Sequence, residues 1–367
     1  MDHNAEIRHL ALELSDLEVA LFLCLAVHEH CRVETTDTHI NDVAKELALI
    51  CANTFELSHA IVDCSHATTF DTFLAEISAP QTSRDHVRPA RPRMTTESSS
   101  TLLSAHDLQG GRSRTKSSRS PGSSYGVSNV IIAKHFDHVG DNIQRSVLEL
   151  MRSKSLSLQA GTWQAPADFL FVPLIARTGG QDSPSLNSHL NDHFFISHYQ
   201  DPEDSYAYLE EDSDWLSEGQ TSASSVIRKS EAQPNKGHPH IDRKTLDKVQ
   251  QCSEAVSVGA DIIRYQQDIV VFLRLSRAVA GGISTRSNLH FKAFSRLLAV
   301  LHGVDFVTPS IAALAAKKVF RHRIVVARPE EDRSLQYGSD LGAVTKVLEY
   351  ANPDTILEGV LTLEAPL

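Results

Sequence analysis

Lys134 and His135 end an apolar, strand-like run in the stretch NVIIAKHFDHVGDNIQRSVLELM, and a helical pattern begins near Asp141. Two carboxylates between a strand and a helix in this way would hold Mg²⁺ and orient an attacking water. Here a cation and an imidazole occupy those two places. Lys134 would repel Mg²⁺, and a neutral His135 is a poor substitute for a carboxylate base. Asp137 lies beyond the strand and reads as a turn or helix N-terminal residue. His28, His30 and Cys31 in VHEHC are metal-ligand types, but no second pair with zinc-type spacing follows, and His238 and His240 in KGHPH lie in a polar stretch. No metal site is predicted. The five cysteines, Cys24, Cys31, Cys51, Cys64 and Cys252, show no CxxC pairing and read as buried, reduced thiols.

The elements that must position these residues alternate in type. Over 7–79 the capping-box pattern Ser15-Asp16-Leu17-Glu18 precedes an apolar run, followed by a short CRVE, the helical DVAKELALICANTF and the strand-like HAIVDCS. Over 129–209 come a strand (NVIIA), a helix (NIQRSVLELMRSK) and two further strands (FLFVPLIA, HFFISH). Helices alternating with short apolar runs predict one α/β core with a parallel sheet covered on both faces. Residues 80–128, rich in Ser, Arg, Thr and Pro, read as a disordered basic insert, and 210–245 as a disordered polar linker. Residues 246–327 show helical spacing throughout, with Thr308-Pro309 as a helix start. The tail, 328–367, ends in ILEGVLTLE, which fits either a strand or a helix.

Bulk properties narrow the classes. A formal charge of −11 argues against a whole-protein role on nucleic acid or anionic membranes. The longest apolar run near the N-terminus, VALFLCLAV, is far short of the ~20 residues a span requires. A cytoplasmic or nuclear location is therefore expected, with no membrane partner.

The segment GGISTRSNLHFKAFSRLLAVLHGVDFVTPSIAALAAKKVFRHRI resembles the helical lid of magnesium-chelatase ATPase subunits and MoxR-type AAA+ proteins. Its Gly-x-Ser-x-Arg start falls on Gly282, Ser284 and Arg286. The Gly-Arg-Asp-Tyr-Val-Thr-Pro turn falls on Gly303, Asp305, Phe306, Val307, Thr308 and Pro309, and the closing His-Arg on His322-Arg323. The resemblance implies an AAA+, P-loop-NTPase-like parallel sheet with helices on both faces, plus an all-α lid. It makes 130–135 a degenerate Walker B strand, with Lys134 and His135 replacing the acidic pair. It puts Ala176 where a polar sensor-1 residue belongs, and makes His193 in LNDHFFI a degenerate arginine finger. Arg286 is left as a possible cofactor-binding remnant of sensor 2 or, on its own chemistry, a salt-bridge or helix-end contact near Ser284.

A phosphate loop needs glycines and a lysine. The segment HEHCRVETTDTHINDVAKEL stands where the resemblance puts one, yet no glycine precedes Gly110 and no Gly-Lys dipeptide occurs. No residue is therefore assigned as catalytic. The expected role is a non-hydrolysing interaction or regulatory module without a cofactor, working with protein partners in an AAA+ homo- or hetero-oligomer. The alternative is a magnesium-chelatase ATPase that inserts Mg²⁺ into protoporphyrin with ATP and Mg²⁺ as cofactors. A third reading is a phospho-regulated or nucleic-acid-associated adaptor acting through Arg112, Arg114, Lys116 and Arg119 beside Ser120-Pro121, although nucleic acid is not an expected partner of the whole chain. Limited proteolysis is expected to cut first within 81–128 and about 212–242 and to leave a stable piece near 246–327, since ordering costs ~1–2 kcal/mol per residue and these stretches have little apolar surface to offset it. Early cleavage inside 285–302 would contradict this division.

Overall fold

Helices α1 (His3–Glu13) and α2 (Asp16–Ala26) meet at Ser15. Its Oγ accepts the Glu18 N–H at 3.2 Å, while its own N–H donates to the Glu18 carboxylate at 2.7 Å. The capping box read from the sequence forms, and every residue from Leu17 to Ala26 is buried. The apolar run is thus a core helix, and among the described residues no helix is long and apolar enough to cross a membrane. The computed structural model describes residues 3–78, 124–158, 161–177, 185–201 and 239–362.

The main sheet is built from β1 (Cys31–Thr35), β2 (His59–Asp63), β4 (Val130–Lys134), β7 (Leu170–Ala176) and β8 (Ile196–Tyr199). All are parallel, in the order β2-β4-β7-β1-β8. Helices α3 (Ile40–Asn53), α4 (Phe70–Ile77), α5 (Asp141–Ser153) and α6 (Ser188–His193) connect and cover the strands. The pleat of β4 shows why both faces are apolar. Val130 and Ile132 join one core with α2, α3 and the lid, while Ile131 and Ala133 join a second core with Phe73, Val147, Phe171 and Phe194. This is the doubly covered parallel sheet that the alternating pattern predicts.

A second sheet was not legible in that pattern. Strands β3 (Ser124–Gly126), β6 (Gly161–Gln164) and β5 (Ser155–Leu158) pair in that spatial order, β3 parallel and β5 antiparallel to β6. Trp163 stacks on Tyr125 with centroids 4.8 Å apart and donates from Nε1 to Ser78 Oγ at 3.1 Å. Residues 124–128, read as the end of the insert, therefore belong to the core, with Val127 and Ser128 buried. Likewise helix α7 (Arg243–Ala255) starts inside the stretch read as linker, behind buried Ile241. The rest of those two stretches, including Arg112, Arg114, Lys116, Arg119 and Ser120, and most of the linker with His238, lies outside the described residues.

The helical part continues with α8 (Ala260–Leu275), the short strand β9 (Val279–Gly281), α9 (Thr285–Leu301), α10 (Pro309–Phe320) and strand β10 (Val325–Val326), which pairs with β9. Thr308 caps α10, its Oγ1 accepting from the Ile311 N–H at 3.3 Å, with Pro309 at the first helical position. After α11 (Leu341–Leu348) the ambiguous tail forms a helix, α12 (Pro353–Leu361), capped by Asn352. Its apolar residues Ile356, Leu357 and Val360 fit one helical face and pack on α8 and α10.

Gly282 joins β9 to α9 at φ 96°, and a Cβ there would meet the Arg323 carbonyl oxygen at 1.7 Å. Gly282→Ala adds backbone strain to this collision, together ~3 kcal/mol. The variant is expected to melt at least about 5 °C lower in a thermal scan. An unchanged midpoint would show that the β9–α9 corner relaxes freely.

Candidate functional site

The residues singled out by sequence fall into two groups at opposite ends of the sheet. Lys134 closes the carboxyl end of β4, whereas His193 precedes the amino end of β8. Because the strands are parallel and rise ~3.3 Å per residue, about 15 Å separates the two ends. Arg286, at 4.0 Å from Asp192, belongs with His193. Within one chain these two groups cannot act on the same ligand atom.

At the carboxyl end, β1 passes into α3 through only Thr36, Asp37, Thr38 and His39, folded as a 3₁₀ turn. His39 Nδ1 lies 2.8 Å from Thr36 Oγ1 and 2.9 Å from Thr38 Oγ1, and its N–H donates to the Thr36 carbonyl at 3.1 Å. Four residues closed on themselves, without a glycine, offer no ring of free N–H groups to a phosphate. Lys134 Nζ donates to Asp63 Oδ2 at 2.8 Å and to Asn41 Oδ1 at 2.9 Å. The ammonium thus lies between the end of β2 and the first turn of α3, with its side chain 13% exposed. His135 sits at φ 50°, its Nδ1 3.7 Å from Asp37 Oδ1. Its ring stacks on His138 (5.5 Å), which stacks on His66 (4.8 Å). Asp137 lies in the 3₁₀ turn Phe136–His138, as a turn residue should.

At the amino end, Asp192 gathers the lid motifs. It accepts from Ser284 Oγ at 2.7 Å and pairs with Arg323 Nε at 3.4 Å and Arg286 Nε at 4.0 Å. The Arg323 guanidinium is buried and also donates to the carbonyls of Asp192, Phe194, Phe195 and Val319, and meets His290 Nδ1 at 2.7 Å. Burial lowers its pKa to about 10, against the opposing pull of Asp192. Asn191 carries the seam further, accepting from Arg32 at 2.9 Å and donating to the His322 carbonyl at 2.7 Å. His193 has both ring nitrogens buried without a hydrogen-bond partner. Desolvation first, then the charges of Arg286 and Arg152, depress its pKa to about 4. At neutral pH it carries no charge and cannot serve as a finger cation.

Of the other metal-type residues, His28 and His240 are exposed and Cys31 is buried. His30 is buried, its Nδ1 accepting the Phe171 N–H at 3.0 Å, and burial holds its pKa near 3. Among the described residues no group of His, Cys, Asp and Glu could hold a metal ion. Burial pushes the Cys51 and Cys64 thiols up to about 12. The sequence reading missed Asn41 and Asp63 as partners of Lys134, which lie 93 and 71 residues away from it. It named Arg323 as a motif match, but nothing in its spacing announced a buried seam.

Comparison with known proteins agrees with this geometry at the level of fold. Residues 272–340 match a family model described as an AAA lid domain. The structure is similar to that of a protein from Cytophaga hutchinsonii described as a candidate ATPase, with a TM-score of 0.55, 13% identity, and coverage of 95% of this chain and 96% of that one. The parallel sheet with its helical lid is an AAA+-type α/β fold. It is also similar to the protein named maintenance of telomere capping protein 2 of Saccharomyces cerevisiae, 36% identical over 123 residues, covering 32% of this chain and 34% of the yeast protein. The same-named protein of Lachancea thermotolerans is 32% identical over 117 residues, covering 30% of this chain and 41% of the other. The matched part thus spans about a third of the length of the first of these relatives.

The seam makes stability depend on pH. Burial holds His290, His30 and His198 near 3, His193 near 4 and His322 well below its ordinary value. Their unfolded pKa is ~6.5, so below that pH the unfolded chain binds protons that the folded chain refuses. The stability is complete above pH ~6.5 and is lost progressively as pH falls from there toward the folded values of about 3 to 4; Glu29, raised by desolvation, opposes this with a single group. Denaturant titrations are expected to show a steep loss between pH 6.5 and 5, with net uptake of several protons on unfolding. A flat profile over that interval would contradict the buried neutral seam.

Proposed function

We infer that this chain is a non-hydrolysing AAA+ module of the magnesium-chelatase and MoxR kind, acting through protein partners in a homo- or hetero-oligomer. The observation that carries this reading is the Lys134 ammonium held between Asp63 and Asn41. The resemblance places Mg²⁺ there, and a tethered ammonium with its own carboxylate and amide partners repels that cation. The four-residue β1–α3 turn and the neutral His193 support the same reading from independent positions. The enzyme alternative, ATP-driven Mg²⁺ insertion, would require Lys134 to leave this pair and a phosphate loop to form from Thr36 to His39. The yeast relatives are named for maintenance of telomere capping, which supports a nuclear protein assembly as the setting.

A ligand present at about 100 times its Kd stabilises the native state by ~2.7 kcal/mol. Millimolar MgATP or MgADP is expected to leave the melting temperature of the purified protein unchanged, with no hydrolysis above background. A rise of several degrees that Lys134→Ala or Asp37→Ala alters would overturn the reading and bring the enzyme forward. Arg286→Ala should change stability slightly and leave the nucleotide response at zero, because Arg286 stands at the other end of the sheet.

A further inference from the structure

Helix α12 lies past the matched lid, which ends at residue 340, and none of the motifs above accounts for it. Its seat has an apolar and a polar part. Ile356, Leu357 and Val360 are buried against α8 and α10. In its first turn, Asp354 accepts from Arg177 Nη2 at 2.9 Å and pairs with Arg321 Nε at 2.8 Å. Both guanidinium groups also lie over the ring of Tyr199, 5.1 and 5.6 Å from its centroid. Arg321 lies 3.9 Å from Glu34 of β1 as well. One carboxylate on a C-terminal helix thus gathers an arginine from the sheet and an arginine from the lid.

The position of Arg177 gives this contact its meaning. Arg177 directly follows β7, and its N–H donates to the Thr35 carbonyl at the end of β1, at 2.7 Å. Between these two strands the chain order reverses: β1 leads away to β2 at one edge, and β7 to β8 at the other. Open parallel sheets take their ligands in the crevice outside the carboxyl ends of the strands at such a reversal. Asp354 brings the first turn of α12 to that place.

We propose that α12 is a releasable strap that closes the crevice between β7 and β1 and ties the lid to the sheet. When it is out, it leaves a seat that takes an amphipathic helix carrying a carboxylate in its first turn. The seat consists of Arg177, Arg321 and Tyr199 beside the apolar faces of α8 and α10, and α12 occupies it in cis. Three features make the strap separable from the lid. It is nine residues long, a length at which a helix alone is marginal in water. It is held by three buried apolar side chains, a partly buried Leu361 and one charged group. The connection before it is exposed, with Tyr350 at 77%. The inference does not depend on the nucleotide reading, since the strap exists whether or not the site at Lys134 binds a ligand.

The test uses the full-length chain, amide hydrogen exchange, and a fluorescent peptide of residues 350–362 as probe. In the wild type, 353–361 should exchange faster than α9 and α10, as a unit that opens by itself. Asp354→Lys replaces two attractions by two repulsions and should speed exchange of 353–361 and of the Arg177 amide about tenfold or more, leaving β4 and α5 unchanged. The peptide should bind the Asp354→Lys chain saturably and the wild type at least about tenfold more weakly, because only the variant offers an empty seat. If Asp354→Lys does not fold, Asp354→Asn carries the same exchange comparison with a smaller factor. Exchange of 353–361 only together with α9 and α10 overturns the proposal, as does a variant with freed α12 that binds no peptide.

Discussion

The buried guanidinium of Arg323 is the constraint on which the arrangement of lid and sheet depends. Its two terminal nitrogens donate to acceptors on both sides, Asp192, Phe194 and Phe195 ahead of β8 and Val319 and His290 from the lid, while Nε makes no hydrogen bond and lies 3.4 Å from the Asp192 carboxylate. Removing one partner from such a set leaves an uncompensated buried charge, which costs ~3–5 kcal/mol. The lid therefore has one position on the sheet. Ser284, Arg286 and Gly282 fall into place around the same carboxylate and the same backbone. Motifs that the family resemblance associates with sensing a nucleotide here fasten two parts of one chain together.

Parallel topology then decides what the remaining charges can do. The seam occupies the amino ends of the strands, and Lys134, His135 and Asp37 occupy the carboxyl ends. At the carboxyl ends stand a short turn, a tethered ammonium and a row of stacked imidazoles. Each replacement compensates another: Lys134 neutralises Asp63, and His135 faces Asp37. The Lys134 ammonium has its hydrogen bonds made, whereas His135 Nδ1 and Asp137 Oδ1 are buried without a hydrogen-bond partner.

The division of legible from illegible features follows the range of the interactions involved. Local signals survived: the Ser15–Glu18 box, the apolar runs of β4 and β7, and the Thr308-Pro309 start of α10 are all decided within a few residues. The β3-β6-β5 sheet was lost because its strands are three or four residues long and partly polar, so the pairing of Tyr125 with Trp163 carries it. The tail ILEGVLTLE was undecidable because its spacing suits two periods, and only the groove between α8 and α10 selects the helix. In the site, the loss of acidic and glycine residues was visible in one dimension. What replaced them was not, since the partners of Lys134 come from two other strand–helix units.

The central claim is that the side chains of this protein already fill the place of metal and phosphate. The ammonium of Lys134 reports on it directly, through the side-chain ¹⁵Nζ resonance assigned with a Lys134→Arg control. A hydrogen-bonded ammonium shielded from solvent should give a protected, slowly exchanging signal that disappears in Asp63→Asn and does not move when millimolar MgADP is added. A Lys134 signal that exchanges freely, or that shifts saturably with MgADP, would contradict the account.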